Sequence, residues 1–348
     1  MILLVLLLFN AFVVGMLIYN TSPVSDNDKE KIVVIKEGSS HDDIGNLLKE
    51  NNLIRSKKMF DYYVKIYKLD NIYAATYKLK ESMSLKEIIK ALKDGGYNTS
   101  ELTITFNEGI NMRKVAKIIS ENTNNTEEDV FNLLKDQSYL DELIEKYWFI
   151  TDEIKNKDIY YSLEGYLFPE TYNFASKDVT VKEIFDTMLK QTDKVLSKYK
   201  SQIASSSYSA HELLTLASII ESEGINQSDR NKIAGVFYNR LKAGMPLGSD
   251  ITTYYAFKIE LSERDLTMSE INTYNPYNTR GPKMNGKLPV GPVSNVSKSS
   301  INAVLNPEKN DYYYFVADKN GKTHFSKTDE EHDKIIRKLQ NEGLWLEW

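Results

Sequence analysis

Two glutamates stand one residue apart in the stretch ASIIESEG, residues 217–224. A carboxyl group kept protonated near neutral pH can donate a proton to a leaving oxygen, and its carboxylate can then take one back. Two effects favour that state here. Aliphatic neighbours disfavour the charged form. The end of a helix adds partial negative charge of its own. With Leu213 set at zero and about 100° per residue, Leu216, Ala217 and Ile220 make one apolar stripe. Glu221 then falls at about 80° and Glu223 at about 280°, on opposite edges of the stripe, while Ser222 points away. The bland alternative is a pair of edge carboxylates salt-bridged to neighbours. Helical geometry does not choose between the two glutamates.

These residues need a helix to carry them. Ser209 is a cap, with Glu212 placed for a capping box, and Gly224 ends the run. A second helix follows, with Ile233, Val236, Phe237 and Leu241 as its stripe and Arg240 bordering it. A Gly/Pro turn then leads to Asp250, Thr252 and Tyr255. Asp250 is the one obvious second acid. Residues 272–295 are rich in Asn, Gly, Pro and Tyr and read as a long irregular loop, the kind that tends to be functional. Its amides and phenols suit sugar hydroxyls and N-acetyl groups. The aromatic run YSLEGYLFPETYNF, residues 161–174, interrupts a mainly helical region from 126 to 199. Its rings either plug a small core or form a platform on which sugar rings stack. Residues 311–340 read as a hairpin with a Lys-Asn-Gly turn and a terminal helix, with His324 and His332 as surface histidines.

Towards the N-terminus the pattern changes. No charged side chain occurs from Met1 to Tyr19, a run long enough to cross a bilayer as a helix. The absence of a basic n-region and of a clear small-residue cleavage site favours an uncleaved anchor over a signal peptide. Residues 20–30 read as a stalk. Residues 31–97 read as short strands and two or three helices. Ser39 or Ser40 caps the first helix. Met59, Phe60, Val64 and Tyr67 line the second, and a third runs from Ser84 to Gly95. Residues 102–122 repeat the strand, Glu-Gly turn and helix of residues 31–48, a weak internal repeat.

Composition removes several classes of function. With 0 cysteines, thiolate catalysis, cysteine zinc sites and disulfides are excluded. The 4 histidines show no ligand spacing, so no metal and no cofactor is expected. A net charge of −5 with no basic stripe argues against nucleic acid as a partner.

Taken together, these segments resemble the membrane-anchored endolytic murein transglycosylases of the YceG-like family. The motifs are LTLASIIESEG, VFYNRLKAGMPLGSDITTYYA, YNPYNTRG, LPVGPVSN and YYYFVAD, in the family's order along the chain, together with EGYLFPETY. The resemblance implies an α+β chain: a transmembrane helix over 1–19, a linker over 20–30, a small LysM-like α/β subdomain over 31–97, and a larger, mainly helical catalytic domain with short β-hairpins over 98–348. It implies Glu223 as the essential acid, with Glu221, Asp250 and Arg240 in support. It implies substrate contacts from Thr252, Tyr274, Asn275, Tyr277, Asn278, Thr279 and Glu170. The activity it implies is cleavage of MurNAc–GlcNAc bonds within peptidoglycan strands, leaving 1,6-anhydroMurNAc ends and trimming nascent glycan. A hydrolytic muramidase using Glu223 with Asp250, or a non-catalytic wall-binding scaffold, are the alternatives. The implied partners are glycan strands, the cytoplasmic membrane, and penicillin-binding proteins of the wall-elongation machinery, with the soluble body outside the cell. Ile251 in place of a usual Pro, and the lengthening GPKMNGK at 281–287, depart from the family pattern.

Overall fold

A computed structural model of the chain describes residues 2–36, 38–66, 72, 75–93, 102–174, 176–224 and 227–345, without the side chains of 2–9 and 11. The expected Tyr67 contact and the expected helix end at Gly95 lie outside these residues. The chain divides into two compact units, residues 1–104 with 173–179, and residues 105–172 with 180–348.

The first unit begins with helix α1 (Ile2–Thr21), which coincides with the uncharged run. Among the described residues, no helix is long and apolar enough to cross a membrane. Strand β1 (Glu30–Ile35), helices α2 (His41–Glu50) and α3 (Lys57–Ile66), strand β2 (Ala75–Lys80) and helix α4 (Leu85–Lys93) follow. β1 and β2 pair antiparallel, with Val33 opposite Tyr77. Alternation along β1 sends Val33 and Ile35 inward. They meet Ile44, Leu48, Phe60, Leu79, Ile88 and Leu92 in one core. Of the two serines expected to cap α2, Ser40 does so, in a reciprocal box with Asp43.

The second unit is mainly helical. Strand β3 (Leu102–Thr105), at the division between the units, pairs with β4 (Thr171–Phe174). After β3, Gly109 adopts a φ of 73° and Asn111 caps α5 (Met112–Asn122). Gly38, before Ser40, has a φ of 79°, so the weak repeat is a local strand, left-handed glycine and capped helix used twice. Helices α6 (Glu127–Leu133), α7 (Gln137–Lys146), α8 (Val181–Leu196) and α9 (Lys200–Ser205) follow. The aromatic run 161–174 is a plug: Leu163, Tyr166, Leu167 and Phe168 are all buried, and its last residues form β4.

Helix α10 (Ala210–Glu223) runs through the middle of this unit, packed against α11 (Gln227–Lys242), α12 (Asp250–Phe257) and α14 (Lys298–Leu305). A single buried stripe was expected. Instead every residue from Leu213 to Glu221 is buried. The residues that looked like its polar face satisfy themselves: Thr215 Oγ1 donates to the His211 carbonyl at 2.8 Å and Ser218 Oγ to the Thr215 carbonyl at 2.8 Å. Short helix α13 (Met268–Ile271) precedes residues 272–297, which contain no regular element, as the sequence predicts. β5 (Tyr314–Ala317) and β6 (Thr323–Ser326) make the expected hairpin, with Tyr314 opposite Ser326, and α15 (Asp329–Asn341) packs on it.

Candidate active site

Glu221 and Glu223 have different surroundings. Glu221 is buried and fully engaged. Its Oε1 accepts from Arg230 Nη2 at 2.8 Å; its Oε2 accepts from Ser300 Oγ at 2.6 Å and from the Ser297 backbone N–H at 2.8 Å. Ser297 is the N-cap of α14, so this carboxylate binds the end of α10 to the positive end of a neighbouring helix. Arg230 also donates to the Gly224 carbonyl at 3.1 Å. The arginine stem lies so close that a Cβ on Gly224 would come within 2.4 Å of it. Gly224 is therefore needed for close approach, at an extended φ of −102°, and not for the left-handed turn expected of a helix-ending glycine.

Glu223, the last residue of α10, opens on a cleft of about 660 Å³. Its Oε1 accepts a 2.6 Å hydrogen bond from Ser249 Oγ. Burial pushes its carboxyl above the usual range, and the nearby Asp250 charge adds to this. The Ser249 hydrogen bond and the charges of Arg280 and Arg240 pull the other way. The helix end contributes in the raising direction. Burial of the acid outweighs its stabilising contacts and favours the protonated form that a proton donor needs.

Asp250 begins α12 and is exposed. Arg280 engages it on both oxygens, Nε on Oδ1 and Nη2 on Oδ2, the second at 3.2 Å. Arg240 is a structural clamp. Nε donates to the Tyr313 carbonyl and Nη1 to the Leu247 carbonyl, both at 2.6 Å, and its guanidinium lies 5.2 Å from the Tyr314 ring centre. It thereby ties the turn before Ser249 to the start of β5.

Most residues expected to contact substrate are turned inward. Thr252 and Thr279 are wholly buried, 2.8 Å apart through their hydroxyls. Both bond to the backbone of Ser249, Thr252 through the carbonyl at 2.7 Å and Thr279 through the N–H at 3.0 Å. Asn278 donates to the carbonyls of Glu270, Ile271 and Thr273 and accepts from Thr253 Oγ1 at 2.7 Å. Tyr277 is buried against Tyr160 and Tyr255. Asn275 donates to Tyr160 Oη at 2.8 Å. Asn275, Tyr277 and Asn278, which suited sugar hydroxyls, are instead engaged with neighbouring elements of the protein, because an irregular chain must have its buried polar groups satisfied. Tyr274 is exposed, with the Lys283 ammonium 5.5 Å from its ring centre. Glu170 is exposed, accepts from Gln191 at 2.7 Å, and is not among the residues lining the Glu223 cleft.

Three parts of the cleft were not singled out by sequence reasoning: Ser249, Arg280 and the wall formed by β5 and α15. His332 lines that wall, with its ring 5.4 Å from Tyr314. Burial, and then the Arg240 charge, hold it below the usual histidine range. Asp318 also lines it and accepts from His324 Nε2 at 2.9 Å. Both histidines, expected on the surface, are half-buried, His324 on β6 and His332 on α15. The available signal was the YYYFVAD run, which brings strand-forming aromatics to a segment following the acidic helix.

A second, smaller hollow of about 250 Å³ is lined by Ser222, Gly109, Tyr254, Glu260 and Val293 among others. Ser222 in the last turn of α10 thus borders both hollows.

Comparison with known proteins gives the family. A protein named endolytic murein transglycosylase from Bacillus subtilis (strain 168) is 39% identical over 332 residues, covering 93% of this chain and 90% of that one. A protein of the same name from Streptococcus pneumoniae serotype 2 is 34% identical, covering 92% of this chain and 61% of its own length. A crystal structure of a yceG-like protein from Listeria monocytogenes superposes with a TM-score of 0.63 at 36% identity, covering 88% of this chain and 99% of that one. The model of the YceG-like family matches residues 33–338, and the chain belongs to that family.

Proposed function

We propose that this chain is an endolytic lytic transglycosylase acting on peptidoglycan glycan strands, with Glu223 as its single acid and base. The observation that carries this is the Glu223 carboxyl: alone at the end of α10, open to a cleft, pushed upward by burial, and held by one hydroxyl. Protonated, it gives its proton to the glycosidic oxygen of a MurNAc–GlcNAc bond as the bond from C1 breaks. The carboxylate then takes the proton from the muramyl C6 hydroxyl as that oxygen bonds to C1. A 1,6-anhydro end forms, no water is consumed, and the carboxyl returns to its starting state. Two hollows share Ser222 in their walls, and the one that Glu223 lines is open enough to take a glycan strand.

Hydrolysis by retaining or inverting enzymes uses two carboxyl groups at set separations. Asp250 is the nearest candidate, and it is held by Arg280 on both oxygens. The single-carboxyl reaction fits this arrangement better. The finer parts of the proposal rest on separate observations. The uncharged run from Met1 to Tyr19 supports a single-pass anchor, with the chain beyond it outside the membrane. The β1–α2–α3–β2 order supports a LysM-like glycan-binding unit. Encounter with wall synthases follows from a shared nascent substrate. Digestion of purified glycan strands, read by mass spectrometry, tests the reaction. Anhydro ends at internal positions are expected from the wild type and none from Glu223→Gln. Reducing ends would establish hydrolysis instead, and no cleavage would leave a scaffold.

A further inference from the structure

Ser249 stands at the N-cap of α12 with φ −83° and ψ 127°, a position where serine normally accepts a hydrogen bond from a backbone N–H of the first turn. It makes no such bond. Elsewhere in the same unit Ser209 and Thr267 cap their helices fully, each in a reciprocal box. The Ser249 hydroxyl is instead directed at Glu223 Oε1, 2.6 Å away, a short contact of the kind carboxyl acceptors make. The rest of the residue is immobilised. It is 3% exposed, its N–H donates to Thr279 Oγ1, and its carbonyl accepts from Thr252 Oγ1. Gly248 before it has a φ of 68°, and Arg240 holds the Leu247 carbonyl. Four neighbours fix a serine whose hydroxyl forgoes its local use and reaches across to another helix.

Building on the reading of Glu223 as the acid, we infer that Ser249 is the positioning residue for it: the hydroxyl fixes Oε1 and leaves Oε2 to carry the proton. The terminal torsion of a glutamate is broad and has no strong preference of its own. A donor on Oε1 selects one setting. With the carboxyl protonated, Ser249 occupies the carbonyl-like oxygen, so the proton resides on Oε2. After transfer to the glycosidic oxygen, the same hydroxyl stabilises the carboxylate. When the C6 hydroxyl gives up its proton, Oε2 receives it. Ser249 keeps its own proton throughout.

The test uses the full chain with Ser249→Ala and Ser249→Thr. For formation of anhydro ends, Ser249→Ala is expected to lower kcat by about ten- to a hundredfold, as for loss of a hydrogen bond to a charged group. KM is expected to change by less than about twofold, as for an interaction made only in the transition state. The high-pH limb moves upward, because the donor that held the Glu223 carboxyl down is gone. Any fall in Tm is expected to come from the lost bond to Glu223 and to shrink at low pH, because no cap bond is lost. Ser249→Thr restores both rate and pH profile. Independently of turnover, carbon-13 NMR of labelled glutamate, assigned through Glu223→Gln, follows the Glu223 carboxyl in the resting protein. Its titration midpoint is expected to rise in Ser249→Ala. If wild type forms no anhydro ends, the proposed function fails while the NMR midpoint still decides the link between the two residues. An unchanged midpoint, or a lower Tm with an unchanged pH profile, overturns the inference.

Discussion

At the scale of single residues, the two glutamates divide structural work from chemistry. Glu221 is a buried ion-pair partner whose loss strands Arg230 in the interior. Glu221→Gln is expected to cost about 3–5 kcal/mol in urea unfolding, the usual consequence of removing one member of a buried pair. Glu223→Gln is expected to leave stability at or above wild type, since its carboxyl is desolvated, while abolishing anhydro ends. Asp250→Asn separates the two chemical readings. The Asp250 charge raises the Glu223 carboxyl, so its removal lowers that carboxyl and shifts the high-pH limb of activity downward. Turnover near the optimum is expected to persist. Complete loss would make Asp250 a participant. The sequence placed both glutamates beside apolar residues but could not rank them, because the ranking depends on Arg230, Ser300 and Ser249, which are remote or unpatterned in sequence.

At the scale of elements, the segments around α12 form a clamp. Thr252, Thr279 and Arg240 all reach the segment 247–249, and of the three Arg240 also lines the cleft. Thr279→Val, nearly equal in shape, removes the hydroxyl shared with Thr252 and Ser249. It is expected to cost about 1–3 kcal/mol, the penalty for stranding buried polar partners, and to lower kcat with little change in KM. Unfolding and kinetics on one preparation check both. Most element positions were legible from periodicity and caps, including α10, α11, the 272–295 loop and the final hairpin. The burial of α10 on every side was not. Thr215 and Ser218 look like a solvated face in sequence, and only their bonds to the helix backbone let that face go inside. The polar residues of YNPYNT were similarly legible as important, but residue type does not reveal whether a partner is a sugar or the chain itself.

At the scale of the whole molecule, the chain divides into two units, and a carboxyl buried in the second makes its stability sensitive to pH. Glu164 is 1% exposed. Its Oε2 accepts from the Met112 N–H and the Tyr255 hydroxyl, both at 2.9 Å. Burial raises its carboxyl from 4.5 to about 7. A group raised on folding stabilises fully below its unfolded value and loses that contribution as pH climbs through the folded one. Stability is therefore expected to fall by about 3 kcal/mol between pH values of about 4.5 and 7 from this group. Urea midpoints across that range should show the fall in wild type and a flatter profile in Glu164→Gln. The proposed anchor gives a further expectation. A chain starting at residue 22 stays in the supernatant after sedimentation of membranes, while the full chain pellets; equal partitioning would remove the anchor. The wall of the cleft carries one more consequence. Glu223 faces Phe315, Val316, His332 and Ile336, all from segments made long after α10. During synthesis the acid emerges first and its enclosure last. Any chain interrupted before Tyr313 has the carboxyl but lacks both the wall and the carbonyl that anchors Arg240. Enclosure of the acid therefore waits on completion of translation.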